Sequence, residues 1–339
     1  MNSLRLTSVF LFLAAAGCQS SQPRVVLYCA QDREFAEGIL GEFTTQTGLA
    51  VAPKFDTEAD KSVSLYREVV EEKNRPRCDV FWNNEILSTI RLQKQGLLEP
   101  YASEPGNLYP HASDNTWHAF AERARVLIVN TNLVPEAERP RSLLDLTDQR
   151  WKGRVTMARP MYGTSATQAA CLFQALGREK AEAFYRGLRA NGIQISPGNK
   201  QAAEWVGQGR TPADQTVAVG ITDTDDAMEE FQAGRPVVIV FPDQDGMGTL
   251  YIPNSVAIIK GGPNPNGARK LVDYVLNGDV EIALEKAGWH FPIRRGHDGS
   301  RSPAPQLQGG RRHLKVDFET AAELWDEVQQ FLEQQFARP

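Results

Sequence analysis

Short apolar runs recur along this chain, each followed by a stretch whose apolar residues repeat at helical spacing. That alternation leaves few architectures open. VVLYCA at 25–30 precedes a stretch in which Phe35, Ile39, Leu40 and Phe43 form one stripe. A second strand is expected near 49–55, then a helix carrying Val63, Tyr66 and Val70. DVFW at 79–82 runs into Asn83, Asn84, Glu85 and another helix. RVLIVN at 125–130 is a further strand. RVTMA at 154–158 leads into YGTSAT at 162–167 and a helix through Leu176, and helices follow near 179–190 and 201–207. VAVGI at 217–221 meets TDTDDAMEEF at 222–231, and strands at 237–241 and 256–259 come next. Helices are expected at about 267–276 and 280–287, and Phe318, Ala322, Trp325, Val328 and Leu332 mark one last amphipathic helix. Strands alternating with helices specify an α/β fold built of βαβ units around a mostly parallel sheet.

The first 18 residues, MNSLRLTSVFLFLAAAGC, set the compartment. Arg5 precedes an apolar run from Leu6 to Ala16. The run is short of the roughly 20 residues that span a bilayer, so it reads as a secretory signal. Its ending, Ala15-Ala16-Gly17-Cys18, resembles a bacterial lipoprotein box, which implies acylation of Cys18 as the new N-terminus. An ordinary signal cut near Ala16 is the alternative, and both put the protein outside the cytoplasm. Loss of Arg5 takes the formal charge from −5 to −6. A balance on the acidic side argues against nucleic-acid binding, which needs a basic face. The mature length of about 320 residues suits two domains. Cys29, Cys78 and Cys171 have no CxxC spacing, so buried thiols are expected rather than a zinc site or a disulfide framework. Residues 296–312, rich in Gly, Ser, Pro and Arg, read as a surface loop.

CDVFWNNEILSTIRLQKQGLLEPY at 78–101, ERARVLIVNTNLV at 122–134, LLDLTDQRWKGRVTMARPMYGTS at 143–165 and the segment 236–276 occur in a characteristic order. With them the chain resembles the periplasmic solute-binding proteins of ATP-binding-cassette importers, in the branch of ferric-iron and thiamine binders. The resemblance implies a type II bilobal fold: two α/β lobes, with mixed and mostly parallel sheets, joined by two hinge strands and closing on solute. Lobe 1 would comprise 24–125 plus 256–339 and lobe 2 residues 126–255, with the crossings near 125–130 and 249–257. It also implies permease and ATPase partners, a monomer, no tightly bound cofactor, and ferric ion with a synergistic anion as the transported ligand.

Open α/β sheets bind ligands beyond the carboxyl ends of their strands, which selects the candidate residues. The first strand end offers Gln31 and Asp32. Iron binders often place a histidine ligand near Asp32; an aspartate there either ligates a hard cation or caps the following helix. The third offers Asn84 and Glu85, close to the family's glutamate ligand, although Glu85 equally suits a helix first turn. In TDTDDA at 222–227 the family's adjacent tyrosines are replaced by Thr224 and Asp225, so phenolate ligation is absent there. Asp223, Asp225 and Asp226 are hard oxygen donors, suited to a multivalent cation or an ammonium group. Three carboxylates in four residues exceed what a helix start requires. Tyr162, Gly163, Thr164 and Ser165 open a helix whose free N–H groups attract an anion, with Asn199 as the family's helper asparagine. The metal set would be Asp32, Glu85, Asp223 and Asp225. Arg123 and Trp117 precede the hinge strand, and His290 lies near its last contact; no histidine shows metal-ligand spacing.

The leading function is therefore capture of a hard metal ion. The alternative cargo is a cationic or phosphorylated organic solute such as thiamine, a polyamine or a sugar phosphate, with Trp82 available for cation–π contact. An enzyme is disfavoured, because the chain has no GxSxG, HExxH, P-loop or complete GxGxxG, and Asp225 and Asp226 as helix neighbours are not expected to face each other. A sensor subunit coupled to a membrane kinase remains a third class.

Overall fold

The computed structural model describes residues 24–56, 63–288, 290–296 and 312–337. The leader with Cys18 lies outside them, as does most of the Gly/Ser/Pro/Arg-rich stretch. The described strands are β1 (Val25–Cys29), β2 (Val51–Phe55), β3 (Val80–Asn83), β4 (Leu98–Glu99) and β5 (Trp117–Asn130). They continue as β6 (Val155–Ala158), β7 (Gln194–Ser196), β8 (Val219–Asp223), β9 (Val237–Val240) and β10 (Tyr251–Ile259). All join one mixed sheet in the order β2-β1-β3-β10-β5-β8-β6-β7, with β4 on β10 and β9 on β5.

β1 runs parallel to both β2 and β3. Between them pack α1 (Arg33–Thr47) and α2 (Val63–Glu71). α1 stops at Gly48, whose φ of 69° gives a left-handed cap with its N–H on the Thr44 carbonyl. On the other side of the sheet, β6 is parallel to β7 and β8. Parallel strands need crossovers, supplied here by α4 (Gly163–Leu176), α5 (Arg178–Ala190) and α6 (Asn199–Gln208).

β5 joins the two halves. Its first part, Trp117 to Ala124, is antiparallel to β10, and Arg125 to Val129 are antiparallel to β8. The register breaks opposite Pro253 and Asn254, where Ala121 stands at a φ of 50°. This is a β-bulge, and bulges bend a strand and re-aim the side chains that follow. The part of β5 at 117–124 was not expected as strand, nor was β7. Neither has an apolar run longer than three residues: His118, Glu122 and Arg123 interrupt the first, and β7 has Ile195 alone between Gln194 and Ser196.

One core gathers β1, β3, α1, α8 (Pro265–Val275) and α9 (Gly278–Gly288) around Leu27, Phe43, Trp82 and Leu271. A second gathers Leu127, Trp151, Phe173, Phe184 and Leu188. The C-terminal amphipathic stretch is broken at Leu324 into α10 (Phe318–Glu323) and α11 (Trp325–Phe336). Val328, Phe331, Leu332 and Phe336 of α11 complete the second core, that of the middle segment, while Trp325 at its start clusters with Ile86, Leu87 and Ile90. This helix therefore bridges the two halves, where the division at 256–339 placed it with the N-terminal one. Cys29, Cys78 and Cys171 are buried free thiols.

Candidate functional site

Three helices begin where three parallel strands end. β6 leads to α4, β7 to α6, and β8 directly to α7 (Thr224–Gln232). Their N-termini converge, each presenting unpaired backbone N–H groups and the positive end of its dipole. That geometry explains the acids of TDTDD: Asp223 ends β8, while Asp225 and Asp226 occupy the first turn of α7.

The three acids do more than complement a dipole. Asp223, Asp225 and Asp226 each bring a carboxylate oxygen within 4.8 Å of the other two. The expectation that the two helix neighbours would not face each other is corrected here: at a helix start both side chains turn back toward the preceding strand end. Asp223 and Asp225 are each only 2% exposed, so their charge must be balanced.

β5 supplies the balance. Side chains two apart on a strand share a face, and past the bulge that face carries Arg123 and Arg125 into the carboxylates. Arg123 Nη1 lies 2.6 Å from Asp225 Oδ2 and 3.6 Å from Asp223, and its Nη2 donates to the Asn84 carbonyl at 3.1 Å. Arg125 Nη1 donates to Asp223 Oδ1 at 2.8 Å, and the same guanidinium reaches Gln168, Thr164, Asn199 and Ser165 at 2.9–3.3 Å. Thr164 Oγ1 and Asn199 Nδ2 donate to Asp223 Oδ2 at 2.6 and 3.2 Å. Burial alone would raise the Asp223 pKa, but the Arg125 and Arg123 charges and the Thr164 hydroxyl hold it below the usual carboxylate range. Burial opposes charge on Arg123 too, and Asp225, Asp223 and Asp32 outweigh it.

A small cavity of about 20 Å³ is walled by Asn84, Tyr162, Gly163, Thr164, Asn199, Asp223 and Asp226. It has room for one water or a single ion. Most candidates from the 162–165, 199 and 222–226 segments therefore meet at one point, with Asn84 arriving from the other half. Thr224 is fully buried at the start of α7. Gly163 has a φ of 52°, a conformation that side chains disfavour, so glycine here lets α4 begin against the site.

Other candidates are placed differently. Glu85 is the N-cap of α3 (Ile86–Lys94), fully buried, with its carboxylate accepting from the Leu87 and Ser88 N–H groups, Asn83 Nδ2 and Thr167 Oγ1. Both oxygens are engaged, so the metal-ligand role expected of it gives way to capping. Gln31 and Asp32 line a separate cavity of about 430 Å³ with Asp56. Asp32 adds its charge to the site through Arg123, and Gln31 accepts from Asn254 Nδ2 at 3.3 Å. Trp82 is 0% exposed and edge-on to Phe120 in the core, which removes the cation–π role suggested for it. Trp117 donates to Gln93 at 2.9 Å away from the acids, and His290 is buried edge-on to Phe35. Sequence reasoning missed Arg125 and Gln168. The signal for Arg125 was its spacing of two from Arg123 on a strand; Gln168 carried none.

Comparison with known proteins places this site in context. Residues 87–309 match the family model described as bacterial extracellular solute-binding protein. The chain is 26% identical over 299 residues to iron uptake protein A1 of Synechocystis sp., covering 85% of this chain and 81% of that protein. Iron-bound HitA from Pseudomonas aeruginosa superposes with a TM-score of 0.78 at 23% identity, over 91% of this chain and 99% of HitA. The periplasmic binding protein AfuA from Actinobacillus pleuropneumoniae, with exogenous fructose-6-phosphate bound, gives 0.79 at 22% identity, over 93% and 99%.

Proposed function

The chain belongs to the bacterial extracellular solute-binding protein family, and on that premise we propose that it is the capture component of an ATP-binding-cassette importer. Its cargo is a hard multivalent cation carried with an oxyanion, ferric ion foremost. The observation that carries this reading is the cluster of Asp223, Asp225 and Asp226 set against the N-termini of α4 and α6. Carboxylate oxygens suit hard cations, and the helix starts with Thr164, Ser165 and Asn199 suit an anion. Charge supports the pairing. Three carboxylates against Arg123 and Arg125 leave one formal negative charge, so a trivalent cation arriving with a dianion brings the site to neutrality. The name of the Synechocystis relative, an iron uptake protein, agrees with that cargo.

The cation reaches Asp225 only as Arg123 withdraws from it, and the freed guanidinium is then placed to meet the anion. The two halves act as lobes, hinging about β5 and β10, and close on cargo. The leader, with its apolar run ending at Cys18, supports delivery outside the cytoplasm and anchoring through an acylated Cys18.

A second reading has its own observation. Arg125 lies against Thr164, Ser165 and Asn199, a donor set suited to a phosphate ester, and AfuA is a binding protein of this fold with fructose-6-phosphate bound. A thermal-shift panel of the mature protein with ferric citrate, divalent metals, thiamine, polyamines and sugar phosphates separates the two. Stabilisation by a metal, weakened about tenfold or more in Asp226→Asn, is expected. A shift with an organic solute alone, and none with any metal, reverses the order.

A further inference from the structure

The small acid-lined cavity shares two of its walls with a much larger one. Arg159 and Tyr162 wall both. The larger cavity, about 490 Å³, lies between α2 and α3 of the N-terminal half and α11. That volume is in the range of small-molecule sites. Three arginines from three different elements face it: Arg67 on α2, Arg91 on α3 and Arg159 after β6.

Their states differ. Arg91 is held: its guanidinium stacks 4.4 Å from the Tyr66 ring and 4.8 Å from Trp325, and it meets Asp326 at 3.4 Å. Among the described residues, no ion pair or side-chain hydrogen bond engages Arg67 or Arg159. Glu333 and Asp326 at the α11 side leave the cavity with an excess of one positive charge. Aromatic rings fixed by a stacked guanidinium, beside two guanidiniums that no described residue engages, form a receptor for a body that is partly apolar and bears acid groups.

We propose that this cavity is a subsite for an organic oxyanion, a phosphate ester or a polycarboxylate, whose acid groups meet Arg67 and Arg159 and whose body lies on Tyr66, Tyr162 and Trp325. The inference rests on the solute-binding reading and extends it: the cargo includes an organic part, larger than a bare ion with an inorganic anion.

The test is calorimetric titration of the mature protein, free of metal, with citrate, with fructose 6-phosphate and with inorganic phosphate. The variants are R67E, R159E and R67E/R159E. Arg67 and Arg159 are exposed, so melting temperatures should stay at the wild-type value and confirm folding. The expected result is that wild type binds at least one organic oxyanion and that R67E, whose residue lies outside the small cavity, weakens it about tenfold or more while inorganic phosphate binding is unchanged. R159E and the double variant, which alter a wall of both cavities, weaken organic oxyanion and phosphate alike. Citrate or fructose 6-phosphate as the tighter ligand tells which acid group the subsite takes. Equal affinity across all variants overturns the subsite, as does a wild type that binds neither compound. Metal capture is judged separately by Asp226→Asn, so either result can fail without the other.

Discussion

Arg123 directs one guanidinium nitrogen to the Asn84 carbonyl at the end of β3 and the other to Asp225 on α7, and so ties the two halves of the molecule together. At 2% exposure neither partner can be hydrated in place of the other. Removing one member of a buried pair leaves an uncompensated charge, so Arg123→Ala and Asp225→Ala should each destabilise by about 3 kcal/mol. The double variant should lose clearly less than the two together, by at least about 1 kcal/mol in urea denaturation; strict additivity would show that the pair is not coupled. One residue earlier, Glu122 points away from this cluster. Burial pushes its carboxyl up to about 8, against about 4.3 in an unfolded chain. The folded state then holds a proton that the unfolded state releases. This contribution is full below about pH 4 and is lost as pH rises through 8, with a slope of at most about 1.4 kcal/mol per pH unit. Glu122→Gln should flatten the fall in stability between pH 5 and 8, read from denaturation midpoints in a pH series. His313 Nδ1, 3.9 Å from Glu122 Oε1, is the neighbouring titratable group to vary in parallel.

Elements are placed by the same residues that looked like ligands. Glu85 was legible as an acid at a helix start, and either a metal or a cap could account for it. Tertiary structure decided for the cap, because Thr167 of α4 and Asn83 occupy the lone pairs a cation would need. Glu85→Ala should therefore cost about 2 kcal/mol of stability through loss of the cap and the contact to α4. Its ligand affinity should stay within about threefold of wild type by thermal-shift titration. A tenfold loss of affinity at unchanged stability would make Glu85 a ligand instead. By contrast, TDTDD was legible as more than capping, since three acids exceed what one helix dipole requires. What the segment did not reveal is that β5 brings two arginines to it across about a hundred residues of chain.

For the whole molecule, the last helix shows the limit of reading by sequence neighbourhood. α11 follows segments that pack in the N-terminal half, yet Leu332, fully buried, sits in the core of the middle one with Phe173 and Phe184. Leu332→Ala should cost about 3 kcal/mol and lower the melting temperature, with the loss expressed in that half; an effect under about 0.5 kcal/mol would place α11 outside the core. The alternation of strand and helix, the strand-end positions and the acid turn were all determined by the sequence alone, because periodicity and helix-start chemistry act over a few residues. That α11 bridges the two halves, that Trp82 is core, and that Arg123 and Arg125 neutralise Asp225 and Asp223 were decided only by tertiary structure. These depend on a bulge at Ala121 and on packing between segments far apart in the chain, whose energies no local pattern records.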